Sequence, residues 1–227
     1  MVLVLFDIDG TLIRTRGAGR EALDAAFRAV HGWEDATESV HIAGSTDAAI
    51  LRDVCRRFGD APLDAPAVKA RYLVELEARL ADPRRIEVCP GVPAAIDALA
   101  GRAEVALLTG NWEEGARLKL GACGLWDRFA WGAWGDDAVD RNELLPIARA
   151  RARERGLVVD AAVIIGDTRA DIACARADGG HVVAVETGFD DPVLLAKEAP
   201  DLQLPDLERG LPGLLALVDG LGRPAPR

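Results

Sequence analysis

Residues 2–6 read Val-Leu-Val-Leu-Phe, an apolar run with no polar alternation, and predict a strand buried on both faces of a parallel sheet. The period then changes. An alanine-rich stretch predicts a helix over 18–31, ending near His31-Gly32. A second helix is predicted over 46–58, with Thr46 or Ser45 as its N-cap and Gly59 after its end. A third, over 64–81, carries Val68, Tyr72, Leu73, Leu76 and Leu80 at helical spacing until Pro83 stops it. No strand pattern of useful length interrupts this helical block. From Pro90 onward, helices predicted at 92–100, 112–122, 142–155 and 169–177 alternate with apolar segments at 104–108, 129–134, 161–165 and 181–185. A short edge strand at 202–204, a last helix near 211–219 and a frayed end at Arg223–Arg227 complete the pattern. Such alternation predicts an α/β fold with a doubly wound parallel sheet. The first strand belongs with the later ones, so residues 1–14 and 87–227 are expected to form the core and 15–86 a helical lid.

Three predicted strands end in polar clusters. The first runs into Asp7 and Asp9, followed by Gly10 and Thr11; the second into Thr109-Gly110-Asn111; the third into Gly166-Asp167-Thr168, with Asp171 one turn on. Ligands of open parallel sheets bind at this carboxyl edge, and the first-turn amides of a following helix suit an anion. Taken singly, Asn111, Thr168 and Asp167 are also credible helix caps, and Asp9 a turn residue. Capping does not account for Asp7, set between Phe6 and Ile8, because a buried bare carboxylate needs a partner. A divalent cation held by oxygens supplies one. An EF-hand would place Gly sixth and Glu twelfth from Asp7, where Leu12 and Ala18 stand. A dinucleotide fingerprint needs more glycine after the strand than Gly10 alone. The expected chemistry is Mg²⁺ held by Asp7, Asp167 and a backbone carbonyl. Thr109, Gly110 and Asn111 would hold a phosphoryl group, Asp7 would be the nucleophile, and Asp9 would carry protons.

Composition narrows the partners. The 227 residues carry 27 basic against 37 acidic side chains, a net charge of −10, with no basic run to neutralise nucleic-acid phosphates. No apolar stretch approaches a membrane span, and the first apolar run has no basic lead and breaks at Asp7, unlike a signal peptide. Cys55, Cys89, Cys123 and Cys174 are widely spaced, without metal-ligand pairing, which suits a reduced cytoplasmic setting. His31, His41 and His181 are equally scattered and read as structural. The expected partner is a small phosphorylated metabolite, with no nucleic acid and no membrane; the number of subunits is left open.

The segments Asp7-Ile8-Asp9-Gly10-Thr11-Leu12, Thr109-Gly110-Asn111 and Gly166-Asp167-Thr168-Arg169-Ala170-Asp171 resemble the first, second and fourth motifs of the haloacid dehalogenase superfamily. The chain is similar to its phosphoglycolate-phosphatase-like members across nearly its whole length. The resemblance implies a Rossmann-like core with an α-helical cap inserted just after the first motif. It implies an aspartyl-phosphate at Asp7, with Asp9 protonating the departing alcohol and then activating water. It also implies Mg²⁺ held by the Asp7 carboxylate, the Asp9 carbonyl and Asp167, with Asp171 ordering its waters or ligating directly.

The third motif departs from the pattern. Where the family usually has lysine, often before proline, this chain has Asp140-Arg141-Asn142-Glu143, and Arg141 is the expected phosphate-side cation. Lys119 is the rival for that place, but it lies about 10 Å along its helix from the phosphate-binding end and reads as a solvated helix-face lysine. In the lid, Gly17-Ala18-Gly19 suits a flexible hinge, and Gly44-Ser45-Thr46-Asp47 either faces substrate or simply caps a helix. The leading expectation is a Mg²⁺-dependent phosphatase of small phosphomonoesters. Asp9 separates the chain from haloacid dehalogenases, which lack it, and from phosphonatases, which carry alanine there. A sugar phosphomutase, or a non-catalytic regulator keeping the fold, are the alternatives.

Overall fold

The computed structural model describes residues 1–222; the expected frayed end, Arg223–Arg227, lies outside the described residues. The first strand, β1 (Val2–Phe6), is buried along its whole length because it sits at the centre of the sheet. Two short strands, β2 (Ile13–Arg14) and β3 (Glu87–Val88), pair with each other antiparallel, away from that sheet. The remaining strands are β4 (Ala103–Leu108), β5 (Gly132–Ala133), β6 (Ala161–Gly166), β7 (His181–Val185) and β8 (Leu202–Leu204). They join β1 in the order β5-β4-β1-β6-β7-β8, every pair parallel. Phe6 is in register with Leu107 on one side and Ile165 on the other, so β1, β4 and β6 reach one edge together. Strand order reverses between β4 and β6, which places the ligand crevice of an α/β sheet at the end of β1.

The alternation of β1 feeds two cores. Val2, Val4 and Phe6 face a cluster completed by α4 (Val92–Leu99), α5 (Glu113–Gly121) and α9 (Leu207–Leu221). Leu3 and Leu5 face the opposite cluster, built with α6 (Leu144–Glu154) and α7 (Arg169–Ala177). A strand with no polar position is thereby satisfied on both faces. The structure is an α/β three-layer arrangement with a Rossmann-like parallel sheet.

Between β2 and β3 lie α1 (Ala18–His31), α2 (Asp47–Arg57) and α3 (Ala65–Leu80). They pack around a third apolar cluster that includes Phe27, Val54, Val68, Tyr72 and Leu76. Thr46 caps α2 by accepting from the Ala49 N–H, and Asp64 caps α3 by accepting from Ala67. The antiparallel pairing of Arg14 with Glu87 and Ile13 with Val88 ties the two passages between block and sheet side by side.

Several expectations need correction. Only Gly17 of the predicted hinge lies outside α1, at φ +84°; Ala18 and Gly19 are already helical. The apolar segment 129–134 contributes only Gly132–Ala133 to the sheet, because Phe129, Trp131 and Trp134 bury their rings in the two cores instead. The predicted 142–155 helix opens with a 3₁₀ turn at Arg141–Glu143. The last helix begins at Leu207, not 211: Asp206 caps it by accepting from Arg209, and Pro212, a mark of a helix start, lies inside it. The six-residue α8 (Pro192–Lys197), capped by Asp191, is too short to show a period and was not expected.

Candidate active site

The end of β1 turns on Gly10, at φ +87°. A Cβ there would lie 2.4 Å from Asp167 Oδ2 and 2.8 Å from the Gly188 Cα, so only glycine fits. The close approach lets Thr11 donate to Asp167 Oδ1 at 3.0 Å, while the Phe189 N–H donates to Oδ2 at 2.8 Å. The Thr11 hydroxyl thus serves the protein's own carboxylate.

Asp7, Asp167 and Asp171 come together, all buried, with one oxygen from each lying within 4.8 Å of the others. Among the described residues, Arg141 is the one cation paired with this cluster. Its Nη2 is 2.5 Å from Asp171 Oδ1 and 3.1 Å from Asp7 Oδ1, and its Nη1 donates to the Gly44 carbonyl at 3.3 Å. The Asp7 contact is one of charge, since Asp7 Oδ1 accepts no hydrogen bond although it is fully enclosed. Asp171 is the most committed of the three: its Oδ2 closes a capping box with the Thr168 N–H and hydroxyl. Burial raises the Asp7 carboxyl to about 6, against the pull of Arg141. Burial, reinforced by Asp171 and Asp7, holds Asp167 well above the usual carboxylate range. Three buried carboxylates, one cation and an oxygen that accepts no hydrogen bond make an all-oxygen donor set that fits a hard divalent cation.

A second cluster lies on the other side. Asn111 Nδ2 donates to Asp9 Oδ2 at 2.8 Å and to the Thr109 hydroxyl at 2.8 Å. Lys119 Nζ donates to the same Asp9 Oδ2 at 2.6 Å and to Asn111 Oδ1 at 2.5 Å. Lys119 is 4% exposed, so its reading as a solvated helix-face residue is wrong. Distance along the helix axis misled, because helical side chains lean toward the N-terminus and a lysine stem spans most of the gap. A signal was present: Trp112, Ala116, Lys119 and Leu120 share one buried helical face, and a lysine there must meet a counter-charge. Asp47 follows the same rule in α2, beside Ile50, Leu51 and Val54.

Asp47 also settles the fate of a helix N-terminus. Its Oδ2 accepts from the Trp112 N–H at 2.8 Å, and Asp136 Oδ2 accepts from Glu113 at 2.8 Å. The first amides of α5, expected to bind an anion, are therefore capped by the protein's own carboxylates, and Asn111 is freed from capping. Asp47 N–H donates to the Gly110 carbonyl at 2.7 Å, and a Cβ on Gly110 would lie 2.0 Å from the Ser45 carbonyl oxygen. The 44–47 loop thus caps α2 and lies directly on the second cluster. Burial raises Asp47 to about 6, with Lys119 opposing.

Every expected site residue borders one cavity of about 470 Å³ except Asp167 and Asp171, which stand beneath Asp7 and Gly10. Its far wall comes from the helical block, through Arg20, Leu23, Ile42, Ile50 and Tyr72. His41 also borders it, whereas His31 stacks on Trp33 and His181 pairs with Asp201.

A parallel sheet with paired carboxylates after its central strand, an amide-and-hydroxyl cluster after β4 and further carboxylates after β6 defines a known class. The chain belongs to the haloacid dehalogenase-like hydrolase family, whose model matches residues 4–185. It is 30% identical over 207 residues to a phosphoglycolate phosphatase from Rhodospirillum rubrum, spanning 84% of this chain and 82% of that one. In fold it is similar to a hydrolase from Pseudomonas syringae, with a TM-score of 0.70 at 21% identity over 95% of this chain and 98% of the other. A proposed β-phosphoglucomutase from Thermotoga maritima aligns with a TM-score of 0.63 at 20% identity, covering 96% and 100%. Among the described residues, no helix is long and apolar enough to cross a membrane.

Proposed function

We propose that the chain is a Mg²⁺-dependent phosphatase of small-molecule phosphomonoesters, working through an aspartyl-phosphate at Asp7. The observation that carries this reading is Asp7 Oδ1, which is buried, accepts no hydrogen bond and meets only the charge of Arg141, at the edge of the cavity. Asp7, Asp167 and the Asp9 carbonyl would hold the metal, with Asp171 behind them. When bound, Mg²⁺ would neutralise phosphoryl charge and keep Asp7 ionised.

Thr109, Gly110 and Asn111 hold the phosphoryl group from the β4 side, and Arg141 faces it across Asp7. An Asp7 oxygen forms its bond to phosphorus as the ester P–O bond breaks, and the proton on Asp9 passes to the departing oxygen. Water then attacks the aspartyl-phosphate; Asp9 takes its proton, and phosphate and the free Asp7 carboxylate result. In this reading residues 1–14 and 87–227 are the catalytic core and 15–86 the cap that shields the intermediate from bulk water. A small phosphorylated metabolite suits a cavity of this size, and the phosphoglycolate phosphatase relative supports that substrate class. Four cysteines without disulfide partners suit the cytoplasm.

The test is phosphate release from a panel of phosphorylated metabolites, with and without Mg²⁺, by the wild type and by Asp7→Asn. Turnover that needs Mg²⁺ and falls by about 10³-fold or more in Asp7→Asn is expected; full activity in that variant would overturn the reading. The phosphomutase alternative shares this fold and both aspartates. It predicts that phosphoryl groups pass to a sugar hydroxyl instead of water, which product analysis distinguishes.

A further inference from the structure

We propose that Lys119 is a positioning residue for proton transfer at Asp9, an inference that rests on the phosphatase reading above. Asp9 is partly exposed at the cavity edge, and a carboxylate there would sample several rotamers if nothing held it. Two donors hold it. Lys119 and Asn111 both bond to Oδ2, at 2.6 and 2.8 Å, and Lys119 also bonds to Asn111 Oδ1 at 2.5 Å. The three side chains close a ring, so neither donor can move without releasing the other. With Oδ2 doubly engaged, exchange of the proton with the ester oxygen falls to Oδ1.

The arrangement is not the work of the third-motif cation under another name. Arg141 sits in the opposite cluster, on Asp7 and Asp171. Lys119 comes from the buried face of α5, and α1 covers it: a Cβ on Gly19 would lie 3.7 Å from Nζ, an ordinary contact. Burying an ammonium is costly unless its donors are matched. Here two of the three are spent on Asp9 and on the residue that also holds Asp9. Asn111 in turn bonds to Thr109, so the ring connects the proton carrier to the phosphoryl-binding hydroxyl.

The test compares Lys119→Met with wild type on two esters of different leaving-group strength, 4-nitrophenyl phosphate and an alkyl phosphate. The parameter is kcat/KM, which covers the steps through leaving-group departure. A nitrophenolate leaves without needing a proton, whereas an alkoxide needs one. The expected result is a fall of about 10²-fold for the alkyl ester and only a few-fold for the aryl ester. Lys119→Gln, which keeps an uncharged N–H donor group, is expected to fall between and replaces the methionine variant should that one fail to fold. Equal losses on both esters, or no loss on either, would overturn the inference while leaving the phosphatase reading intact. A wild type inert toward both esters would overturn the two together.

Discussion

Two charge clusters, one buried and one opening on the cavity, face each other across the end of β1, and they are balanced differently. On the Asp7 side, three carboxylates gather, one guanidinium pairs with two of them, and one oxygen has no hydrogen bond. On the Asp9 side, the ammonium of Lys119 meets Asp9 directly and Asn111 takes up the remaining valences. The comparison teaches how to read buried charge. An excess left by the protein marks where something external is to bind, whereas a closed network marks where a side chain is to be held still.

Breaking the first cluster is expected to have the largest effect. Arg141→Met removes the guanidinium that pairs with Asp7 and Asp171, and a loss of about 3–5 kcal/mol in urea unfolding at neutral pH is expected. A change below about 1 kcal/mol would show that the cluster is not strained by charge.

Asp47 sharpens the comparison from the other side, because it is the carboxylate that the balanced cluster leaves over. Its folded value of about 6 lies above the ordinary 3.8, so the native state holds its proton over that window and the unfolded state does not. Its contribution is therefore present below about pH 4 and lost as pH rises through about 6, worth up to roughly 3 kcal/mol. Asp47→Asn, which can still accept from Trp112, should flatten that part of the stability–pH curve; an unchanged curve would refute the assignment.

Divalent cation should act on one cluster only. At a hundred times its dissociation constant, Mg²⁺ is expected to stabilise the wild type by about 2.7 kcal/mol. Asp167→Asn should lose that response and Lys119→Met keep it. The smallest effect expected is that of Thr168→Ala, about 1 kcal/mol for a lost N-cap. It should also weaken Mg²⁺ stabilisation, because Asp171 loses an anchor; an unaltered Mg²⁺ response would separate the cap from the cluster.

The layered fold was readable because β1 has no polar position and the later apolar segments alternate with helices, a pattern that only a doubly covered parallel sheet satisfies. The strand-end carboxylates were readable for the same reason: a charge at the end of a buried strand demands a partner. Arg141 was found by its place before a helix, and the structure puts it on Asp7 and Asp171. Lys119 reads from the sequence as solvated, and Asp47 only as part of a loop that faces substrate or caps a helix, because a charge on an apolar helical face is visible in the sequence but the depth and direction of its reach are set by tertiary packing. The helix expected near 211–219 begins earlier, at Leu207, because Asp206 caps it there.

The β2–β3 ribbon has a topological consequence. Arg14 and Glu87 are cross-strand partners, so the 72 residues from 15 to 86 leave and return through a single doorway. A tight turn could bridge that doorway without disturbing the register of any neighbouring strand. A segment of another length between Arg14 and Glu87 would therefore leave the register of the parallel sheet, and the strand-end carboxylates it carries, where they are.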